Sequence, residues 1–192
     1  MKRSAERGFK LVEIMIVVAI IALLAAIAIP NVLRGRTTAN ESAAIGNLRA
    51  LISSLEMARS VNQVYPLDLP ANTFLLVMYG AGAVPAACAA GIQPAPDFGP
   101  PSFCLPLTGP GVNVGLVQGY NYVYAAGVPA GQTYSLIVTP ANTGTTGTRS
   151  FLATQTGLIQ HCLEPTAGAV AATVANMLND ATIDQAPTSP CT

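Results

Sequence analysis

The clearest pattern in the chain is a run of apolar residues near its N-terminus. All sixteen residues from Ile14 to Ile29 are apolar. The run extends back to Phe9 with only two polar members, Lys10 and Glu13. At about 1.5 Å rise per residue, a helix of this length crosses a hydrocarbon layer of about 30 Å. The pattern therefore predicts a membrane-spanning helix.

Charge around this run predicts its orientation. Lys2, Arg3 and Arg7 precede it, so its N-terminal end is expected on the cytoplasmic side and the rest of the chain outside. A secretory signal peptide cut after Ala28 and a simple signal anchor are two alternatives. Neither accounts for Glu13, because a carboxylate inside a membrane costs roughly 2.5–3.5 kcal/mol and normally has a partner.

A second helical pattern follows Pro30. Apolar residues recur at helical spacing, with a polar face opposite them. We expect one long helix from Phe9 to about Val61, although two helices with a break near Pro30 and Gly35 are an alternative. The expected buried stripe is Ala44, Leu48, Leu51, Leu55 and Ala58, and the expected polar face is Asn47, Arg49, Ser54, Glu56 and Arg59.

The remainder of the chain is predicted to be a sheet preceded by irregular structure. Residues 64–118 are dense in Pro, Gly and Ala, with a short helix expected near Thr73–Tyr79. After Gly119, the segments YNYVYAA, QTYSLIVTP, TRSFLATQ and GLIQHC are rich in strand-forming residues and are separated by turn residues. They predict an antiparallel sheet of three or four strands, one face of which covers the long helix.

Four cysteines, Cys88, Cys104, Cys162 and Cys191, match no zinc-site spacing, and in an exported chain an even number favours two disulfides. Three pairings are possible. Cys88–Cys104 and Cys162–Cys191 are favoured because each closes a local loop. The alternative is a metal site that includes His161, and the spacing argues against it.

Composition and motifs favour a structural protein over an enzyme. Nine Lys and Arg residues balance nine Asp and Glu residues, so no nucleic-acid binding is expected. His161 is the only histidine, and we expect it at the end of a strand rather than in a catalytic site. No catalytic set, phosphate-binding loop or calcium-binding loop is present, so neither a cofactor nor a metal is expected.

The segment RGFKLVEIMIVVAIIALLAAIAIP resembles the N-terminal signal of type IV pilins and type II secretion pseudopilins. In that family a prepilin peptidase cuts after a glycine that follows a short basic leader, and the new N-terminal residue is N-methylated. The resemblance implies cleavage between Gly8 and Phe9, and methylation of Phe9. It also implies that Glu13 is the family's acid at the fifth mature position, and that Pro30 is its helix-kinking proline.

The same resemblance gives Glu13 a partner. Cleavage after Gly8 creates an α-amino cation, which in a filament can pair with Glu13 of a neighbouring subunit. An unpaired buried acid is costly, and pairing removes that cost only at the correct axial offset. We therefore predict that Glu13 sets filament register. Lys10 and Ala22 depart from the family, which commonly has Thr or Ser and Gly at these positions, and no partner for Lys10 is evident.

The expected fold is α+β, a type IV pilin fold in which the second half of a long N-terminal helix packs on the sheet. The expected segments are a leader at 1–8, a transmembrane and filament-core helix half at 9–29, an amphipathic half at 30–62, and a globular head at 63–192.

The resemblance implies a structural subunit of a homo-oligomeric helical filament. Its expected partners are prepilin peptidase, an inner-membrane assembly platform and, before assembly, membrane lipid. It would sit in the inner membrane with a periplasmic head, and then in an extracellular type IV pilus. The alternatives are a pseudopilin in a periplasmic pseudopilus and, from another class, a membrane-anchored binding module that does not assemble.

Overall fold

The computed structural model describes residues 11–67, 73–79, 98–100, 103, 114–127, 129 and 131–163. The chain divides into two compact units, Met1–Arg36 and Thr37–Thr192. The elements in chain order are α1 (Leu11–Asn62), α2 (Thr73–Tyr79), β1 (Val114–Val117), β2 (Tyr120–Ala126), β3 (Tyr134–Pro140), β4 (Arg149–Thr154) and β5 (Ile159–Leu163).

Helix α1 is continuous for 52 residues and contains Pro30. The expectation of one long helix is confirmed, and the structure does not have the alternative break near Pro30 and Gly35. The helix ends at Asn62, and the next residue, Gln63, has a left-handed φ of 64° and a backbone N–H that donates to the carbonyl of Arg59 at 2.7 Å. A residue in this conformation satisfies a carbonyl at the end of the helix and stops its propagation.

The five strands form one antiparallel sheet in the order β1-β2-β3-β4-β5. The segments expected to be strands after Gly119 form β2 to β5. Strand β1 is additional, and it comes from the stretch expected to be irregular. It joins β2 through Gln118 and Gly119, whose positive φ angles of 50° and 80° suit a two-residue hairpin turn.

One hydrophobic core joins the second half of α1 to the sheet. All five residues of the expected stripe are buried, at 1% exposure or less. Burial alternates along β3, with Tyr134, Leu136 and Val138 facing the core. The sheet contributes mainly aromatic and aliphatic side chains to this core, namely Tyr120, Tyr122, Tyr124, Tyr134, Leu136, Val138 and Phe151.

Ser54 is a correction to the expected polar face, because it is buried at 7% exposure. Its hydroxyl donates to the carbonyl of Ala50 at 2.8 Å. A serine that bonds one turn back along its own helix needs no water, so it can face the core. The architecture is α+β, a long N-terminal helix with an antiparallel sheet, and it is consistent with the type IV pilin fold.

Candidate functional site

The first unit exposes an apolar helical surface. From Leu11 to Arg36 every side chain is exposed except Ala25, which is half-buried. Its fifteen large apolar side chains are between 49% and 74% exposed: Leu11, Val12, Ile14, Met15, Ile16, Val17, Val18, Ile20, Ile21, Leu23, Leu24, Ile27, Ile29, Val32 and Leu33. A helix that is apolar all round is stable only where lipid or other apolar helices surround it.

Helix α1 is long and apolar enough to cross a membrane, judged by length and composition. Its most apolar 18-residue window has a mean hydropathy of 3.0, and none of that window is buried within the chain. Glu13 lies in the first turn of the described helix. Two cations, Arg34 and Arg36, follow the apolar surface and are exposed. The arrangement supplies an apolar surface with one acid near its start.

Few of the other expected site residues lie within the described parts of the chain. Gly8 and Phe9 lie outside the described residues, so the cleavage and methylation sites stay predictions. Pro30 lies inside α1. Cys162 is buried in β5 and is disulfide-bonded. The other three cysteines, Cys88, Cys104 and Cys191, lie outside the described residues, so the expected pairing stays a prediction.

His161 lies in the middle of β5 rather than at its end, and it is buried at 1% exposure. Its ring stacks on Phe151 with centroids 6.4 Å apart. Across residues 11–67 and the other described ranges, no group of three or more His, Cys, Asp or Glu side chains could hold a metal ion.

A polar cluster ties α1 to the loop between β3 and β4. We call Glu41, Thr148 and Arg149 the clasp. Glu41 Oε1 accepts from the Thr148 backbone N–H at 2.9 Å and from its hydroxyl at 2.8 Å. Glu41 Oε2 accepts from Arg149 Nε at 2.8 Å and from Nη2 at 2.6 Å. Each carboxylate oxygen therefore has two donors, and both donors to Oε2 come from the Arg149 guanidinium, so these two bonds are charge-assisted.

The clasp keeps a buried acid ionised. The Glu41 side chain is only 8% exposed, whereas that of Arg149 is 30% exposed. Burial alone would raise the pKa of Glu41, but the Thr148 N–H, the Arg149 guanidinium and the Thr148 hydroxyl stabilise the carboxylate. The net result is a pKa below its usual value of 4.5.

The loop that carries the clasp is ordered by its own bonds. Three hydrogen bonds join Asn142 and Thr146. The Thr146 N–H and hydroxyl donate to the Asn142 carbonyl at 2.9 Å and 3.1 Å, and the Asn142 N–H donates to the Thr146 hydroxyl at 3.0 Å. Gly147 passes against the ring of Tyr120, where a Cβ would overlap that ring. Tyr120 also donates to the Arg149 carbonyl at 3.2 Å. The donors to Glu41 are therefore held in place by the sheet.

Sequence reasoning missed the clasp, although α1 carries a signal for it. Glu41 lies three residues before Ala44 and seven before Leu48, so it falls on the buried face of the helix. A carboxylate at such a position needs a cationic or hydrogen-bonding partner. The partner is 108 residues away at Arg149, which local periodicity cannot identify.

Comparison with known proteins identifies the N-terminal segment. The prokaryotic N-terminal methylation motif matches residues 3–29. Type II secretion system core protein G of Klebsiella michiganensis is 36% identical over 66 residues, which are 34% of this chain and 46% of that protein. Type IV wide pilus major component PilA4 of Thermus thermophilus is 38% identical over 80 residues, 42% of this chain and 58% of that protein.

Type IV major pilin protein PilA of Myxococcus xanthus is 53% identical over 49 residues, 26% of this chain and 22% of that protein. The chain thus spans less than two thirds of the length of each of these relatives. No solved structure matches it significantly. The resemblance inferred from the sequence is confirmed: the chain carries the prepilin-type N-terminal methylation motif and is similar in part to both type IV pilins and type II secretion pseudopilins.

Proposed function

We propose that this chain is a structural pilin subunit that prepilin peptidase cleaves after Gly8 and that polymerises through its N-terminal helix into a type IV pilus. The observation that carries the proposal is the exposed apolar surface of the helix in the first unit, together with the methylation motif at residues 3–29. Lipid can surround such a helix before assembly, and the same helix of other copies can surround it afterwards.

The proposal assigns a role to each segment. Residues 1–8 are the leader, 9–29 anchor the subunit and later form the filament core, 30–62 carry the head, and 63–192 complete the head. The subunit begins in the inner membrane with a periplasmic head, and it contacts prepilin peptidase and an assembly platform there. It ends in an extracellular homo-oligomer. The proposal assigns no residue a catalytic role.

Glu13 is proposed to set register within the filament. It lies at the N-terminal end of the apolar surface, next to Val12 and Ile14, which are both exposed. The α-amino group of methylated Phe9 on a neighbouring copy would neutralise it at one axial offset. A helix that is otherwise apolar would pack at several offsets with similar energy, so this charge pair would select among them.

A pseudopilin of a type II secretion system is the second candidate. Its specific support is the similarity to core protein G of that system, at 36–38% identity in Klebsiella michiganensis and Pseudomonas aeruginosa. Both candidates share cleavage, methylation and helix-driven assembly. They differ in where the filament ends, outside the cell or in the periplasm.

Two measurements on cells test these candidates. Mass spectrometry should find a mature N-terminus that begins at N-methylated Phe9, and sheared surface filaments should contain this chain. An intact Met1 or a start after Ala28 would contradict both assembly proposals and favour an anchored module. Processing without surface filaments, combined with a secretion defect on deletion, would assign the chain to the pseudopilus.

The Glu13→Ala variant tests the role of Glu13 in the same cells. It should be exported and processed, because the apolar helix and Gly8 are intact, but it should not enter filaments. A normal filament yield from this variant would refute the role of Glu13 while leaving the subunit assignment in place.

A further inference from the structure

The apolar contact between α1 and the sheet determines which face of the helix packs on the sheet. It determines only weakly how far along the helix the sheet lies. Its three central members, Leu48, Leu51 and Leu55, are the same residue at helical spacing, with Ala44 and Ala58 at the two ends. Sliding the helix by one turn, about 5.4 Å, would place Leu48 at the position of Leu51, with Ile45 and Ile52 at the positions of the other two leucines. Hydrophobic contact is non-directional, so a shifted register would retain much of it.

The clasp fixes the position of α1 along its own axis, which the apolar stripe does only weakly. Glu41 makes four contacts with Thr148 and Arg149, each 2.9 Å or shorter, and all are lost if the helix slides by a turn. If the helix slid by a turn, Glu41 would lose its cationic partner Arg149 and would still lie on the buried face of the helix. An uncompensated buried charge is strongly unfavourable, so the clasp excludes the shifted register.

Two further contacts on the same stretch of helix agree with this register. Asn40 Nδ2 donates to the Thr146 carbonyl at 3.0 Å, beside the clasp. Asn47 Nδ2 donates to Gln118 Oε1 at 3.1 Å, in the β1–β2 turn. The helix is therefore fixed against two separate turns of the sheet, and the β3–β4 loop is already ordered by its own bonds.

We propose that the clasp of Glu41, Thr148 and Arg149 sets the axial register of the sheet on α1, and thereby gives every head in the assembled filament the same register. The second half of this statement rests on the proposed function, because a register shared by many copies has a consequence only if those copies assemble into a filament. Glu41 is then a positioning residue for assembly rather than only a stabilising one.

The register can be measured without filaments. Nitroxide side chains at the exposed positions Ser53 and Gln155 report the distance between α1 and the sheet by pulsed electron paramagnetic resonance, with the full chain in detergent micelles. The wild type should give one narrow distance distribution. The variant with both Glu41→Met and Arg149→Met should give an added population displaced along the helix by about one turn, about 5.4 Å.

Thermal unfolding separates register from stability. Glu41→Met alone leaves Arg149 without its acid and should lower the melting temperature. The double variant should recover most of that loss, because apolar replacement of both members of a buried ion pair is often neutral. The control Arg49→Met removes an exposed charge from the same helix and should keep both the wild-type distance and the wild-type melting temperature.

One narrow wild-type distance in the double variant would overturn the register role. Filaments of the double variant should lose helical order in electron micrographs, because their heads would mix two registers, and wild-type order would overturn this consequence for the filament. A wild-type chain that gives the narrow distance but forms no filaments would contradict the proposed function, and the resonance result would still decide the register.

Discussion

At the residue scale, Glu41 shows why a single buried acid is tolerated. Its carboxylate exchanges water for two donors on each oxygen, from Thr148 and Arg149. Leaving a buried acceptor without donors would cost about 1–3 kcal/mol, more for a charged group. The residue is therefore stable in the ionised form only while the loop and the helix remain together.

The lowered pKa of Glu41 makes the head sensitive to acid. Its folded pKa lies below the unfolded value near 4.5, so its contribution is complete above that pH and is lost as the pH falls through the folded pKa. Glu41→Gln should lower the free energy of unfolding by about 1–3 kcal/mol near neutral pH. Denaturant unfolding of both proteins should show that this difference shrinks as the pH falls below 4.5 and through the lowered pKa of the folded Glu41 carboxyl.

A difference that stays constant from neutral to acid pH would show that ionisation of Glu41 does not stabilise the head. Arg49→Gln provides the comparison, because this exposed residue has no contact with the clasp in the described structure. Its unfolding free energy should follow that of the wild type at each pH.

At the element scale, the sequence predicted most elements because their patterns are periodic and local. The long helix follows from an apolar run and a spaced stripe, and β2 to β5 follow from short segments rich in aromatic and β-branched residues. Strand β1 was not expected, because Val114–Val117 is short, contains Gly115 and adjoins a Gly- and Pro-rich stretch. Its pairing with β2 outweighs that weak local preference.

The periodicity of α1 did not predict that Ser54 is buried or which residues complete the clasp, and the reason differs from that for β1. Polar residue types were assigned to the exposed face, whereas Ser54 satisfies its hydroxyl on its own helix and Glu41 satisfies its carboxylate on a distant loop. Both depend on which donor or acceptor comes within reach after folding. The spacing along α1 places Glu41 on the buried face, but the partners of both side chains are known only from the folded structure.

The β3–β4 loop and α1 respond in opposite ways to the same substitution. Gly147→Ala adds a methyl group that overlaps the buried ring of Tyr120, and it should lower the free energy of unfolding by about 1–3 kcal/mol. Gly46→Ala places the same group in open space on a helix, and it should raise that free energy by about 0.5–1 kcal/mol. Urea unfolding of the two variants measures both, and a destabilised Gly46→Ala would contradict the open surface.

At the scale of the whole molecule, the two units require different solvents. The first unit exposes apolar side chains all round, whereas the second buries its own core between α1 and the sheet. The membrane-spanning character was predictable because it needs only composition and length. Its use in assembly was suggested by family resemblance at the N-terminus, since no pattern in the head specifies a partner.

This division predicts a dependence on detergent. The full chain should be monodisperse only in detergent or lipid, because its first unit otherwise associates through exposed apolar surface. A chain that starts at Thr37 keeps every described core residue and should be monodisperse in buffer. Light scattering with and without detergent measures both, and equal aggregation of the shortened chain would show that the apolar helix is not the cause.

The order of the strands also has a consequence for how the chain folds. Because each strand pairs with the next along the sequence, the sheet can grow one hairpin at a time as the polypeptide emerges. The contacts of Glu41 span 107 and 108 residues, so they can close only after β4 has been made. Until then the leucines of α1 have no finished surface to cover them, so the incompletely folded chain exposes apolar side chains that favour aggregation.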